Sequence, residues 1–141
     1  MTAVVCQDNN ALSGTLSGEI LTTFTSLELL DVSSNEISGN IPPELGLLSN
    51  MISLNLQKNS LSGFIPTEIF QLPFIESLKL NQNKISGNIN EMIGHMSTLR
   101  ELTLSDNKIT GTLPSEIGLL ERLGMVLRII VFKYSIIQLN Q

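Results

Sequence analysis

The sequence predicts an α/β solenoid, a coil in which each turn adds a short strand to a parallel sheet and a one-turn or 3-10 helix to the opposite side. Three observations carry this expectation. Residues 27–50, 51–74, 75–98 and 99–122 form four successive units of equal length in one unbroken frame. Within each unit two aliphatic residues stand two apart, and an asparagine follows three residues later. The second half of each unit carries Ser-Gly or Thr-Gly, followed in three of the four by Pro-x-Glu. A single unit of this size cannot bury its own apolar side chains, so neighbouring units stack into one continuous core.

Each repeated position has a physical task. The pairs Leu30 and Val32, Leu54 and Leu56, Leu78 and Leu80, and Leu102 and Leu104 show the period of two of a strand with one face buried. This predicts strands near 29–33, 53–57, 77–81 and 101–105. The chain then turns at Asn35, Asn59, Asn83 and Asn107. A carboxamide carries donors and an acceptor, so a stacked ladder of these four satisfies backbone groups that the turn leaves unpaired. Ile37, Leu61, Ile85 and Ile109 point back into the core. Gly39, Gly63, Gly87 and Gly111 suit a tight turn or a close approach between coils. Pro42, Pro66 and Pro114 suit the first position of a short helix, and Glu44, Glu68 and Glu116 fall in its first turn, where the helix dipole favours negative charge. Unit 75–98 has Asn90 where proline is expected, which predicts a looser turn there.

The two ends depart from the frame. Upstream, residues 4–26 read as a degenerate first repeat. Val4, Cys6 and Asn9 match the strand-plus-asparagine spacing, and Leu12-Ser13-Gly14 then arrives one residue late. Downstream, residues 123–141 form an irregular tail, with no asparagine, glycine or proline at the expected places. Residues 127–131 are expected to add a last parallel strand with a one-residue slip. Arg128 and Lys133 interrupt the apolar stretches, so no membrane span is read in the chain. All 13 acids lie before Arg122, and Arg122, Arg128 and Lys133 follow without one, which also fits a tail foreign to the array. The whole of 1–141 is taken as a single domain.

Composition restricts function. Hydrophobic residues make up 42% and aromatics only 4%, with no tryptophan, so the core is aliphatic. The net charge of −5 argues against a nucleic-acid partner, because phosphate binding needs a basic surface. One cysteine excludes an internal disulfide, and Cys6 with the lone His95 supplies no structural zinc set. His95 falls in a variable convex slot with no nucleophile and acid arranged beside it. The glycines recur once per coil and form no phosphate loop. No catalytic residue, no metal site and no cofactor is therefore expected. Met1 is followed by no basic stretch or sustained apolar run, so no secretion signal is read.

The pattern LxxLxLxxNxLSGxIPxxL resembles the leucine-rich repeat, in the 24-residue form of plant-type receptor-like proteins and receptor-like kinases. The resemblance implies a right-handed coil with the strands on its concave face and a protein or peptide ligand bound there at the cell surface. The paired-cysteine cap usual in that family is absent. The concave columns that such a ligand is expected to touch run through Asp31, Asn55, Lys79 and Thr103, and through Ser33, Gln57, Asn81 and Ser105. A third column, Ser34, Lys58, Gln82 and Asp106, lies beside them. Five coils at about 4.8 Å each span roughly 20–25 Å, room for an extended peptide or one patch of a globular partner. The alternative is a truncated, purely structural or non-functional fragment of a longer receptor kinase.

Overall fold

The computed structural model describes residues 3–6 and 8–122. The tail 123–141, with the strand expected at 127–131, lies outside the described residues. In chain order the elements are β1 (Ala3–Cys6), β2 (Ser13–Thr15), α1 (Gly18–Leu21), β3 (Leu27–Asp31), β4 (Glu36–Asn40), β5 (Ser53–Asn55), β6 (Ser60–Gly63), β7 (Ser77–Lys79), β8 (Lys84–Gly87), β9 (Glu101–Thr103) and β10 (Lys108–Ile109). Short 3-10 helices at Pro43–Leu47, Thr67–Gln71, Glu91–His95 and Ser115–Leu119 close the later coils. The odd-numbered strands form one five-stranded parallel sheet in the order β1-β3-β5-β7-β9. The even-numbered strands form a second parallel sheet, where the repeat pattern predicts only an extended piece.

The aliphatic pairs set the inner wall. Leu30, Val32, Leu54, Leu56, Leu78, Leu80 and Leu102 are buried, and Leu104 packs half-buried against the same core. One coil, 51–74, buries Met51, Leu54, Leu56, Leu61, Ile65, Ile69, Phe70 and Leu72. At about 1.5–3 kcal/mol per aliphatic side chain this burial far outweighs any single hydrogen bond, worth about 1 kcal/mol net. Burial drives the stacking, and the polar groups decide the register.

The strands of the first sheet end two residues earlier than expected, at Asp31, Asn55, Lys79 and Thr103, and the last three are only three residues long. The reason lies three residues on. Ser34, Lys58, Gln82 and Asp106 all hold left-handed backbone, with φ of +55 to +56°, so the chain bends sharply there. Such a residue costs an L side chain about 1–2 kcal/mol, so something must hold the bend. The next asparagine does so. Asn83 Nδ2 donates to the carbonyls of Leu80 (3.1 Å) and Asn81 (3.5 Å) in its own coil and of Leu56 (2.9 Å) in the preceding one. Its Oδ1 accepts the Leu61 N–H at 3.0 Å. Asn59 and Asn107 repeat these bonds, their Oδ1 atoms accepting from Ile37 and Ile85. Asn35 binds the carbonyls of Val32 and Ser33 and accepts from the N–H groups of Asn10 and Leu12.

A second ladder runs down the second sheet. The hydroxyls of Ser38, Ser62, Ser86 and Thr110 donate to the carbonyls of Gly14, Gly39, Gly63 and Gly87, at 3.1–3.4 Å. Each donates to the glycine of the coil before it, which gives the Ser-Gly pair its purpose. Gly63 holds φ +76°, and a Cβ there would stand 2.6 Å from the Asn40 carboxamide oxygen.

The convex side corrects two expectations. Pro42, Pro66 and Pro114 occupy the cap just before each 3-10 helix, one position earlier than expected, with extended ψ of 135–143°. The turn at Asn90 is not looser. Asn90 Oδ1 accepts the Met92 N–H at 2.8 Å, so the side chain caps a helix of the same length, and Ile93 beneath it is fully buried.

The first coil corrects a third. Its partners lie one residue farther along than in later coils, so Val5 pairs with Leu30 and Cys6 with Asp31. Val5, not Val4, packs on the core, and Val4 is exposed. Asn10, not Asn9, stands at the asparagine position, because Asn9 carries the left-handed φ of +55°. Leu12-Ser13-Gly14 is thus in step with its own strand. The extra residue is taken up at α1, an α-turn in which the Leu21 N–H reaches Ser17, whereas the Leu45 N–H reaches only Pro42. Ile20 is consequently exposed and Leu21 buried.

The ladder leads to a stability prediction. Asn83→Ala strands backbone groups inside the coil and is expected to cost about 1–3 kcal/mol. Asn81→Ala, two residues earlier and facing outward, is expected to cost about 0.5 kcal/mol or less. Urea unfolding of the two variants measures the difference, and equal losses contradict the assignment.

Candidate functional site

The outward face of the first sheet is built from side chains between the buried leucines. Register brings Asp31, Asn55, Lys79 and Thr103 into one row. Within it Asn55 Nδ2 donates to Asp31 Oδ2 at 2.8 Å, and Asp31 Oδ1 accepts the Ser33 N–H at 2.9 Å. Asn55 Oδ1 accepts the Gln57 N–H at 3.3 Å. Thr103 Oγ1 donates to Asn81 Oδ1 at 2.8 Å, which joins the two rows. Ser33 is only 5% exposed, so it supports Asp31 and offers no surface of its own. Gln57, Asn81 and Ser105 are half-buried, and Lys58, Gln82 and Asp106 stand exposed at the bend.

A row that the repeat reading passed over lies two residues before the first: Leu29, Ser53, Ser77 and Glu101, with Val4 paired to Leu29. The period of two marks it plainly, since a residue two before Asp31 shares its face. Glu101 is the hub of its charged end. Lys79 Nζ lies 3.1 Å from Glu101 Oε2, and Ser77 Oγ donates to the same oxygen at 3.0 Å. Beside it Arg100 Nε lies 3.3 Å from Glu76 Oε2. Such half-exposed pairs are worth about 0–1 kcal/mol, so they shape the surface more than they hold the fold.

Asp31 stands apart electrostatically. Burial pushes its carboxyl up, but the hydrogen bonds from the Ser33 side chain and backbone, then the Asn55 amide, then the Lys79 charge outweigh it. The net result holds the group below its ordinary value of 3.8.

Elsewhere the chemistry is sparse. His95 is exposed at the end of its 3-10 helix. Among the described residues no group of three His, Cys, Asp or Glu is placed to hold a metal. Among the described residues no helix is long and apolar enough to cross a membrane. A crevice of about 830 Å³ lies on the convex side between the last two described coils, lined by residues 88–91 and 112–118, away from the outward rows of the first sheet.

Comparison with known proteins supplies the family. The leucine-rich-repeat family matches residues 26–48, 50–72 and 98–120. It passes over unit 75–98, the one that lacks the proline. A chain of the BIR3–SERK2 complex from Arabidopsis thaliana superposes with a TM-score of 0.76 at 36% identity, over 80% of this chain and 60% of that one. The chain is a leucine-rich-repeat protein of the plant type. This leucine-rich-repeat chain is also similar to the ectodomain of the receptor kinase SOBIR1 from Arabidopsis thaliana, with a TM-score of 0.78 and 27% identity, over 84% of this chain and 63% of that one. A chain of the Arabidopsis receptor kinase HAESA in complex with the peptide hormone IDA and the co-receptor SERK1 gives a TM-score of 0.74 and 37% identity, over 79% of this chain and 18% of that one. The leucine-rich-repeat chain therefore spans less than two thirds of these relatives. No curated protein matches its sequence significantly.

The Asp31 network predicts a pH dependence. A carboxyl held below 3.8 stabilises the fold above that pH, and the contribution is lost as pH falls through the lower folded value. Asp31→Asn removes the titrating group. Urea midpoints at pH 7 and pH 3 should therefore fall more for the native chain than for Asp31→Asn, and equal falls contradict the network.

Proposed function

We propose that the chain is a protein- or peptide-recognition module that uses the concave face of its solenoid as part of a receptor-like signalling protein. One observation carries the reading. On the same strands, the inward positions stay aliphatic from coil to coil, while the outward row changes from Asp31 to Asn55 to Lys79 to Thr103. A stacked scaffold needs only the inward regularity, so the outward variety is where selectivity can reside. The relatives support it. HAESA is described with a peptide hormone and a co-receptor, and the plant peptide hormone receptor RGFR1 in complex with RGF2. The fold acts there as an interaction scaffold, and the outward rows here hold no nucleophile, base and acid in catalytic arrangement.

A second reading, a purely structural segment of a longer receptor, is favoured by the saturation of the outward rows. Asp31 with Asn55, Asn81 with Thr103, and Lys79 with Glu101 already satisfy one another. Selection of a displayed random-peptide library on the folded chain decides between the two. On the recognition reading, selected peptides protect the outward rows in footprinting. Charge reversal within the outward rows, at Asp31 or at Lys79, then changes their binding about tenfold, while Glu68→Lys on the convex side changes binding by less than about twofold. Failure to enrich any peptide, or protection confined to the 3-10 helices, supports the structural segment.

A further inference from the structure

The outward face of the first sheet is asymmetric along the solenoid. At the later coils its cations are already matched, Lys79 by Glu101 and Arg100 by Glu76. At the first coils it is apolar and acidic. Val4 is 48% exposed and pairs with the half-buried Leu29, and the half-buried Ile52 precedes Ser53, the partner of Leu29 on the next strand. Among the described residues no cation lies within ion-pair distance of Glu28 or Asp31. The Asp31 carboxylate is held in place by Ser33 and Asn55, so its position is fixed before any partner arrives.

Leu29 and Asp31 are two residues apart on β3, so their side chains share a face at a spacing of about 6–7 Å. An extended peptide repeats that spacing between its own residues i and i+2. Resting on the reading of this face as a binding surface, we propose that its first coils take an extended peptide bearing an apolar and a basic side chain two residues apart. The apolar group covers Val4 and Leu29, and the basic group meets Asp31. Charge complementarity chooses this occupant. An acidic peptide would meet Glu28 and Asp31, while Lys79 and Arg100 are engaged and the exposed Lys58 stands at the bend, three residues beyond the row of Asp31 and Asn55. A wholly apolar one would cover the Asp31 carboxylate without bringing it a counter-charge.

The test uses the full chain and four synthetic probes, the capped hexapeptides Gly-Ser-Leu-Ser-Lys-Gly, Gly-Ser-Lys-Ser-Leu-Gly, Gly-Ser-Leu-Ser-Glu-Gly and Gly-Ser-Ser-Ser-Lys-Gly, titrated against the amide spectrum. At least one of the two Leu/Lys probes is expected to shift the amides of Val4, Leu29 and Asp31. The Leu/Glu and Ser/Lys probes should bind about tenfold more weakly. Leu29→Ser and Asp31→Asn should each abolish the preference, and an otherwise unchanged amide spectrum confirms that the variants fold. Equal binding of the Leu/Glu probe, or no binding by either Leu/Lys probe, overturns the proposal. Shifts centred on Lys79 and Thr103 overturn it while leaving the concave reading intact, and shifts confined to the 3-10 helices overturn both.

Discussion

A chain that coils back on itself every turn must bend inside an apolar environment, and the bend strips backbone groups of their sheet partners. The asparagine carboxamide resolves that conflict, and the rest of the architecture depends on it. Asn59, Asn83 and Asn107 each bind carbonyls of their own coil and one carbonyl and one N–H of the coil before. Leucine in the same place would fill the volume and leave those groups unsatisfied, at about 1–3 kcal/mol each. The apolar core supplies more free energy in total, but it is indifferent to register, because one leucine packs on another in many ways. The side-chain ladders are directional, so they fix which coil follows which and at what offset.

Regularity inside leaves freedom outside. Once register is set by the half-buried asparagines, by the Ser-Gly hydroxyls and by the backbone pairing of two sheets, the outward residues of the first sheet carry little structural duty. They can vary in charge from coil to coil without disturbing the stack. Their own bonds are local: Asn55 to Asp31, Thr103 to Asn81, Lys79 to Glu101. Such contacts orient side chains at a surface, and a competing partner can replace them at small cost.

The sequence made the repeats legible because each buried position tolerates few residue types. Leucines two apart and an asparagine three further on have one economical arrangement, and the first sheet follows from it. Other features left a fainter trace. The left-handed bend falls on Ser34, Lys58, Gln82 and Asp106, none of them glycine, so no residue type announced the positive φ. The serine of each Ser-Gly pair reads as a turn residue until the next coil is in place to receive its hydroxyl. In the first coil Val4 and Val5 are chemically alike, so spacing alone does not set the frame, and only the α-turn at Gly18–Leu21 reveals where the additional residue goes. Of the outward face, the rows through Asp31 and Ser33 were readable from the repeat. The row through Leu29 was equally readable by the period of two, yet its partnership with Val4 needed the corrected register. The burial of Ser33 and the pairing of Lys79 with Glu101 depend on three-dimensional neighbours that a one-dimensional pattern does not contain.

The dependence on the asparagine carboxamides is tested most directly by native-state amide hydrogen exchange at Ile37, Leu61 and Ile85. These residues lie on the strands of the second sheet, but their N–H groups donate to the side-chain oxygens of Asn59, Asn83 and Asn107. If the ladder holds the coil, these amides exchange as slowly as those of Leu56 and Leu80, which are bonded backbone to backbone between coils. Asn83→Ala should then release Leu61 selectively. Exchange of Ile37, Leu61 and Ile85 at the rate of exposed loop amides in the native chain would contradict the account.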